Sequence, residues 1–255
     1  NNTRAIIAGY RASVVDSGAS QAQSGWWWNA AEPGRGYFIE MTGGKVFMGD
    51  FLYMSNGNPL WYVTSTTYNY NAASSFSGSL NYYTGGQTLT GLYKAPTGPV
   101  SHGEITVSFR DATNGTLVWP GGSVPITRFE IAPGSLSAPA PAFQPETGWW
   151  WNANEGGRGF AIEIQGDHLY IAGFMYDSLG GNAWYVSGGK MTTSSFYQGR
   201  WQQCQGGQSM TGTFRSTSCS YTTNGSLSIS FTSRTTAVLM LPDGRQIALT
   251  RFQLP

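Results

Sequence analysis

The chain contains one sequence motif twice, and this duplication strongly limits what it can fold into. Ser24–Asn29 recurs as Thr147–Asn152, and Trp26–Val63 aligns without a gap to Trp149–Val186, 149 − 26 = 123 residues further on. Nineteen of these 38 aligned positions are identical. Two segments this similar are expected to adopt the same fold, so the 255 residues predict two related domains.

Proline marks the boundary between the two copies. Four prolines, at positions 133, 139, 141 and 145, fall in a stretch otherwise rich in Ala and Ser, which is typical of a semi-extended linker. We therefore predict an N-terminal extension at residues 1–24, a first domain at 25–131, a linker at 132–147 and a second domain at 148–255.

Composition and turn signals indicate β-structure. Charged residues make up 11% of the chain, whereas it has 35 glycines and 15% aromatic residues. A helical bundle would need far more Glu, Lys, Arg and Ala on its exposed faces. Turn sequences such as Gly43-Gly44, Asn56-Gly57, Gly85-Gly86 and Asn224-Gly225 separate short apolar segments, as in sandwiches and barrels. We predict an all-β fold of two tandem antiparallel up-and-down β-barrels, about eight strands each, packed side by side.

Alternation along the strands predicts which side chains face outward. The predicted strands of the first copy are residues 25–29, 36–42, 45–54, 59–66, 75–82, 87–94, 103–110 and 122–130. A period of two puts Glu40 and Glu163 on the outer face. The third strand is apolar on both faces, with Met48 on one side and Phe47 and Phe51 on the other. Such a strand must be covered twice, which predicts flank-to-flank packing of the barrels and leaves a further homo-oligomer open.

The first and last strands resemble a known barrel signature. Gly25-Trp26-Trp27 and Gly148-Trp149-Trp150 contain Gly-x-Trp, and Arg128 and Arg251 lie on the last strands. This pattern resembles the calycin signature of lipocalins and avidins. The wider pattern of Trp triplet, Glu-x-Gly-Arg-Gly and Trp-Tyr is similar to a repeat of secreted bacterial proteins of unassigned activity.

The resemblance implies roles for particular side chains. It implies that Trp27 and Trp150 close one barrel end and that Arg128 and Arg251 stack across them in cation–π contacts. Ser24–Glu40 is similar to the first hairpin of avidins, which implies that Asn29 and Asn152 point inward and contact a ligand. The avidin hairpin has a ligand-binding Ser where this chain has Arg35-Gly36.

Cys204 and Cys219 are the only cysteines of the chain. A disulfide between them would close a loop of about 15 residues and contribute on the order of 3 kcal/mol. We predict this disulfide, and with it a secreted or periplasmic location, because disulfides persist in oxidising compartments. The alternative is a pair of free buried thiols.

The Trp triplet allows two interpretations. In the first, all three rings pack, one in the core and two between the barrels. In the second, the outward Trp26 or Trp28 joins Trp61 and Tyr62 in a flat platform that stacks on a sugar or a base. The corresponding pair in the second copy is Trp184 and Tyr185.

The repeated Glu-x-Gly-Arg-Gly sequence also allows two interpretations. Glu32 and Arg35, and likewise Glu155 and Arg158, would form an ion pair that holds a tight loop. Alternatively, Arg35 and Arg158 lie at the barrel mouths and bind an anionic group of a ligand, with Glu40 and Glu163 as further polar partners.

Several function classes are disfavoured by the sequence. A formal net charge of +1 without a run of like charges gives no basis for nucleic-acid binding, and no apolar stretch of about 18 residues could span a bilayer. His102 and His168 occupy unrelated positions in the two copies, so a duplicated metal site or His-based triad is not expected. We predict no cofactor, no metal and no catalytic activity.

Three functions remain. The first is a secreted, non-catalytic protein that binds carbohydrate through its aromatic residues. The second is a carrier of a small molecule inside each barrel, as the avidin and lipocalin resemblance implies. The third is a structural or adhesion protein whose aromatic residues only pack.

Overall fold

A computed structural model describes residues 21–68 and 74–255 as two closed antiparallel β-barrels of eight strands each. Most of the N-terminal extension therefore lies outside the described residues. Barrel 1 consists of β1 (Gly25–Trp28), β2 (Gly36–Thr42), β3 (Lys45–Tyr53), β4 (Pro59–Thr67), β5 (Ser75–Thr84), β6 (Thr97–Phe109), β7 (Asn114–Trp119) and β8 (Gly122–Arg128). Barrel 2 consists of β9 (Gly148–Trp151), β10 (Gly159–Gln165), β11 (His168–Tyr176), β12 (Asn182–Lys190), β13 (Phe196–Gln205), β14 (Ser218–Phe231), β15 (Thr236–Met240) and β16 (Gln246–Arg251).

Each barrel is an up-and-down meander closed by its short first strand. β1 pairs with β2 and with β8, where Trp27 lies opposite Arg128. β9 pairs in the same way with β10 and β16, with Trp150 opposite Arg251. The glycine turns allow this geometry, because Gly43 and Gly44 adopt φ values of 61° and 79° in the β2–β3 hairpin. The predicted fold class is confirmed.

The sixth predicted strand is wrong. Residues 87–94 form no strand, and the sheet continues instead with β6 and with β7. Residues 85–96 leave barrel 1 because their hydrogen-bond partners lie on barrel 2, where Gly85 N–H donates to the Gly180 carbonyl at 2.8 Å. The predicted turn at Asn224-Gly225 is also wrong, since both residues lie inside β14.

The interior of each barrel is filled by side chains from alternating positions. In barrel 1 the core contains Trp27, Tyr37, Ile39, Val46, Met48, Leu52, Phe76, Ile105, Val107, Leu117 and Ile126, among others. In barrel 2 it contains Trp150, Phe160, Ile162, Leu169, Ile171, Met175, Tyr197, Trp201, Ile229, Leu239 and Leu249, among others. This alternation is the period of two that the sequence shows.

A third cluster joins the barrels, as the doubly apolar third strand predicts. It combines outward residues of both copies: Trp26, Phe38, Phe51, Tyr53 and Trp61 from barrel 1, with Trp149, Ala161, Ala172, Tyr176, Trp184 and Cys204 from barrel 2. The indole N–H of Trp61 donates to the Met175 carbonyl at 2.9 Å, and that of Trp184 donates to the Leu52 carbonyl at 3.1 Å. The indole N–H groups of these two rings are thus satisfied by carbonyls of the opposite barrel.

The linker is attached to the barrels along its length. Gln165 accepts hydrogen bonds from Ile131 N–H at 3.0 Å and from the Ser135 hydroxyl at 2.5 Å, next to a 3-10 turn at Ser135–Ser137. Further along, Phe143 packs against the barrel 2 core and Gln144 donates to the Ile164 carbonyl at 2.9 Å. The segment between the copies is therefore held in one conformation by β10 and its neighbours.

Cys204 and Cys219 form the predicted disulfide, which confirms the pairing. It links the end of β13 to the start of β14. Among the described residues, no helix is long and apolar enough to cross a membrane.

Candidate functional site

The three tryptophans of each triplet have three different environments. Trp27 and Trp150 point into their barrels and are fully buried. Arg128 lies over the Trp27 ring, with its guanidinium carbon 5.7 Å from the ring centroid, and Arg251 lies over Trp150 at 5.9 Å. The Trp–Arg contacts implied by the calycin resemblance are present at one end of each barrel, which we call the floor.

The arginine of the Trp–Arg pair in barrel 1 also contacts barrel 2. Arg128 forms a buried ion pair with Glu163, and the same carboxylate accepts the backbone N–H of Trp26 at 2.6 Å. Gln165 donates to Glu163 as well, at 2.8 Å. The carboxylate of barrel 2 thus completes the floor of barrel 1.

The same contact occurs with the copies exchanged. Arg251 pairs with Glu40 at 2.5 Å, and Glu40 accepts the backbone N–H of Trp149 at 2.8 Å. Glu146 adds a second acidic partner to Arg251, at 3.4 Å. Glu40 and Glu163 are 2% and 3% exposed. Both leave the barrels on the outer face, and their hydrogen bonds lie within the interface between the barrels.

Two long loops are exchanged between the barrels at the opposite, open ends. We call residues 85–96 lid 1 and residues 206–217 lid 2, by their order in the chain. Lid 2 covers barrel 1: Gly206 N–H donates to the Gly57 carbonyl at 2.8 Å, and Met210 packs against the barrel 1 core. Lid 1 covers barrel 2, where Leu89 is part of the core.

Arg35 and Arg158 hold these lids. Arg35 forms an ion pair with Glu32 and donates to the Met210 carbonyl of lid 2 at 3.0 Å. Arg158 pairs with Glu155 and donates to the Leu89 carbonyl of lid 1 at 2.7 Å. Burial lowers the pKa of Arg158, an effect that Glu155 partly offsets. The structural interpretation of the Glu–Arg pair is therefore the one the geometry matches, and both arginines are at the barrel mouths as expected.

Two related grooves lie between the barrels, one on each side of the interface. Groove 1 has a cavity volume of about 250 Å³ and groove 2 about 230 Å³. Groove 1 is lined by Phe47, Trp61, Val63, Tyr83, Pro96, Trp149, Trp150, Trp151, Gly157, Arg158, Gly159, Phe174, Tyr176 and Phe252. Each of these residues has its counterpart 121 or 123 positions away in groove 2: Tyr170, Trp184, Val186, Cys204, Thr217, Trp26, Trp27, Trp28, Gly34, Arg35, Gly36, Phe51, Tyr53 and Phe129.

The third tryptophan of each triplet gives each groove its accessible aromatic ring. Trp28 and Trp151 are half-buried, whereas Trp26 and Trp149 are buried in the interface. Trp28 meets Phe129 edge-to-face at a centroid distance of 5.2 Å, and Trp151 meets Phe252 at 5.1 Å. These contacts hold each indole at the groove rim in a fixed orientation.

The two grooves differ at one wall. In groove 1, Tyr83 stacks on Trp61 with ring centroids 6.3 Å apart and an angle of 23° between the planes. At the same place in groove 2 lies the disulfide, because Cys204 and Cys219 both line that groove. Burial raises the pKa of Tyr176 in groove 1 and of Tyr53 in groove 2, and contact with the Thr217 hydroxyl offsets part of the rise for Tyr53.

Other predicted ligand-binding residues are not brought together. Trp61 points into the interface while Tyr62 points into the barrel 1 core, so the two rings do not share a platform. Trp184 and Tyr185 diverge in the same way. Successive strand residues face opposite sides of a sheet, which explains the separation.

Asn29 and Asn152 belong to turns rather than to the barrel interior. Asn29 Oδ1 accepts the N–H of Ala31 at 3.1 Å, and Asn152 Oδ1 accepts the N–H of Asn154 at 3.0 Å. Both residues follow the end of their strand. The inward orientation implied by the avidin resemblance is wrong for these side chains, because the turn begins immediately after the triplet.

Several groups with a special environment were missed at the level of sequence. Asp50 is fully buried, and Leu89 and Met210 reach into the opposite barrel. Asn182 Oδ1 accepts a hydrogen bond from the backbone N–H of Trp61 at 3.2 Å. The signal for Asp50 is available in the sequence, since it falls between the inward Met48 and Leu52 in the alternation of β3. The lids have no comparable signal.

No cluster of three or more His, Cys, Asp or Glu residues that could hold a metal ion occurs in the described part of the chain. Comparison of the chain with protein-family models, with curated proteins and with solved structures returned no match.

Proposed function

We propose that this protein is a secreted or periplasmic, non-catalytic glycan-binding protein that takes one sugar ring in each of its two grooves. The observation that carries the proposal is the pair of half-exposed indoles, Trp28 and Trp151, each at the rim of an aromatic groove. Tryptophan faces stack on the C–H surfaces of sugars, and a rigid ring does so with little loss of conformational entropy.

The groove linings favour a neutral ligand. Among the described residues, neither lining contains an Asp, Glu or Lys, and the only charged side chain is Arg158 in groove 1 and Arg35 in groove 2. Both guanidinium groups are already paired with a carboxylate. Tyr83 in groove 1 and Gln202 in groove 2 are half-buried polar residues that are available to orient a hydroxylated ring.

The same linings support a binding role over catalysis. Glycoside hydrolysis uses two carboxyl groups about 5–10 Å apart, and no carboxyl group from residues 21–68 or 74–255 lines either groove. The disulfide supports the proposed location outside the cytoplasm. The closed eight-stranded barrels and the Trp–Arg floors fit a calycin-like repeat of secreted proteins.

The alternative is a structural protein whose aromatic residues only pack. Trp61, Trp149 and Trp184 donate their indole N–H groups to carbonyls of the opposite barrel, so these rings serve the interface. If Trp28 and Trp151 only extend that packing, the grooves will bind nothing and their rings will matter for stability alone.

A glycan array followed by tryptophan-fluorescence titration tests the proposal. We expect two binding sites in the natural protein, one in Trp28→Ala or Trp151→Ala, and none in the double variant. Tyr93→Ala is the matched control, because this exposed aromatic residue lies on lid 1 and does not line a groove. Absence of binding to every glycan in both assays would overturn the proposal and favour the structural role.

A further inference from the structure

Aromatic side chains form a continuous band along the lining of groove 1. Each ring meets the next at a centroid distance between 5.1 and 6.3 Å. The band runs from Trp151 through Phe252, Phe47, Trp149, Phe174 and Trp61 to Tyr83. The two end residues, Trp151 and Tyr83, are both half-buried, so groove 1 offers an accessible ring at each end of the band.

Groove 2 has the same band without its last ring. Successive centroids lie between 5.2 and 6.0 Å apart. This band runs from Trp28 through Phe129, Tyr170, Trp26 and Phe51 to Trp184. Trp184 is aligned with Trp61 of groove 1. The position of Tyr83 is occupied by Cys204, 204 − 83 = 121 residues further on.

The far end of groove 2 therefore has a different chemistry from that of groove 1. Tyr53, the next ring beyond Trp184, is fully buried and offers no face to a ligand. The Cys204–Cys219 disulfide lines the groove there. The half-buried Gln202 lies two residues before Cys204 on β13, so its side chain projects to the same face. Its counterpart Asn81 is not part of the groove 1 lining.

The stereochemistry of a pyranose decides whether one or both faces of its ring are apolar. When every hydroxyl is equatorial, as in the gluco and xylo configurations, axial C–H groups cover both faces. An axial hydroxyl, as in the galacto configuration, makes one face polar. Because aromatic rings stack on C–H surfaces, a site with an aromatic ring at each end favours the all-equatorial sugar.

We propose, on the basis of the glycan-binding function proposed above, that groove 1 selects a pyranose whose hydroxyls are all equatorial and that Tyr83 determines this selectivity. A sugar ring that fills the cavity of about 250 Å³ lies between Trp151 and Tyr83 and turns one apolar face to each. In groove 2 the second face meets the disulfide and Gln202. The Gln202 amide can donate to an axial hydroxyl, so groove 2 accepts both configurations.

Single-groove variants of the full chain separate the two sites. Trp28→Ala leaves groove 1 intact and Trp151→Ala leaves groove 2 intact. Tryptophan-fluorescence titration with methyl β-glucoside and methyl β-galactoside, which differ only in the configuration at C4, gives the dissociation constants. We expect Trp28→Ala to bind the glucoside about tenfold more tightly than the galactoside, and Trp151→Ala to bind the two within about threefold of each other.

Substitution of Tyr83 in the Trp28→Ala background tests the residue itself. Tyr83→Ala should reduce the preference to within about threefold, because the second aromatic face is lost. Tyr83→Phe keeps the ring and should keep the preference for the glucoside. Tyr93→Ala is the control and should change neither constant, since this exposed residue lies on lid 1 outside the groove lining. Tyr83→Leu, which also removes the ring, replaces Tyr83→Ala if that variant fails to fold.

Two results would overturn the selectivity while leaving the glycan-binding function intact. One is equal affinity of Trp28→Ala for the two sugars, or a preference for the galactoside. The other is a preference for the glucoside that survives both Tyr83→Ala and Tyr83→Leu. A glycan array without any signal, together with no fluorescence change for either sugar, would instead overturn the glycan-binding function and the selectivity with it.

Discussion

Barrel 1 and barrel 2 share the floors and lids that they provide for each other, whereas their interiors differ. Both have a Trp–Arg floor completed by a glutamate of the other copy, and both are covered by a lid from the other copy. The interior of barrel 1 contains Asp50 at the position where barrel 2 has Gly173. Contacts shared by two copies constrain both sequences at once, whereas each interior can change alone.

The lids show the same contrast at their bases. Lid 2 is clamped by the Cys204–Cys219 disulfide, which joins the two strands that flank it. At the base of lid 1, Gly98 leaves room for the Tyr83 ring, which fills the corresponding place. One lid is held covalently and the other by packing, so the two are expected to open with different free energies.

The largest effect is expected where the copies are most alike, at the exchanged ion pairs. Glu163→Ala should lower the free energy of unfolding by about 3–5 kcal/mol, because it leaves Arg128 buried without its partner. Glu40→Ala should cost less, since Arg251 keeps Glu146 as a second acidic partner. Urea denaturation measures both; Arg110→Ala, which removes an exposed ion pair, is the control and should change nothing. Equal losses for the two glutamates would contradict this difference.

Asp50 is buried in barrel 1 and has no counterpart in barrel 2, so it predicts that the free energy of unfolding depends on pH through barrel 1. The unfolded chain releases the Asp50 proton at the ordinary pKa of 3.8, while the folded chain keeps it up to about pH 8. Stability should therefore fall as pH rises from about 4 to about 8 and level off above that. Asp50→Asn should remove this contribution and raise the free energy of unfolding at pH 7 by about 4 kcal/mol.

Urea denaturation at pH 5, 7 and 9 measures this effect, with the exposed Glu104→Gln as the control variant. The gain from Asp50→Asn should be smallest at pH 5. A gain that does not depend on pH would mean that the carboxyl group is ionised in the folded protein throughout this range.

The difference between the lids predicts a selective effect of the disulfide. Replacing both cysteines by serine should cost roughly 3 kcal/mol, the value for a closed loop of about 15 residues. Hydrogen exchange of residues 206–217 should accelerate, while that of residues 85–96 should not. Equal acceleration of both lids would show that they open together and that the disulfide does not distinguish them.

The smallest expected difference concerns the side chains that the lids insert. Leu89→Ala should lower the free energy of unfolding by about 2 kcal/mol, because Leu89 is buried in the barrel 2 core. Met210→Ala should cost about 1 kcal/mol, since Met210 is only partly buried. Thermal unfolding of the two variants measures the two losses of stability. A larger loss for Met210→Ala than for Leu89→Ala would contradict this expectation.

The sequence predicts the barrels well because their determinants are local and repeated. Alternation along β2 and β3 identifies the inner and outer faces, and the doubly apolar β3 indicates that a partner covers it. The Trp27–Arg128 contact follows from a resemblance limited to a few residues. The paired cysteines identify the disulfide because the chain has no others.

The lids and the grooves could not be predicted because they depend on contacts between the copies. Residues 87–94 alternate like a strand, and only the carbonyl acceptors on barrel 2 show that they leave barrel 1. Trp26 and Trp28 have the same outward direction in the sequence pattern. The second barrel packs on Trp26 and buries it, whereas Trp28 stays half-exposed.

The two barrels complete each other's floors within a single chain, so their interiors do not have to be identical. In a symmetric dimer of identical chains, every substitution appears twice, so a costly buried acid such as Asp50 would be present in both barrels. Joining the copies in one polypeptide removes that symmetry while the linker keeps the partner at a high effective concentration. Two copies within one chain can thus have different interiors, with a buried acid in barrel 1 and a glycine in barrel 2, and still share one architecture.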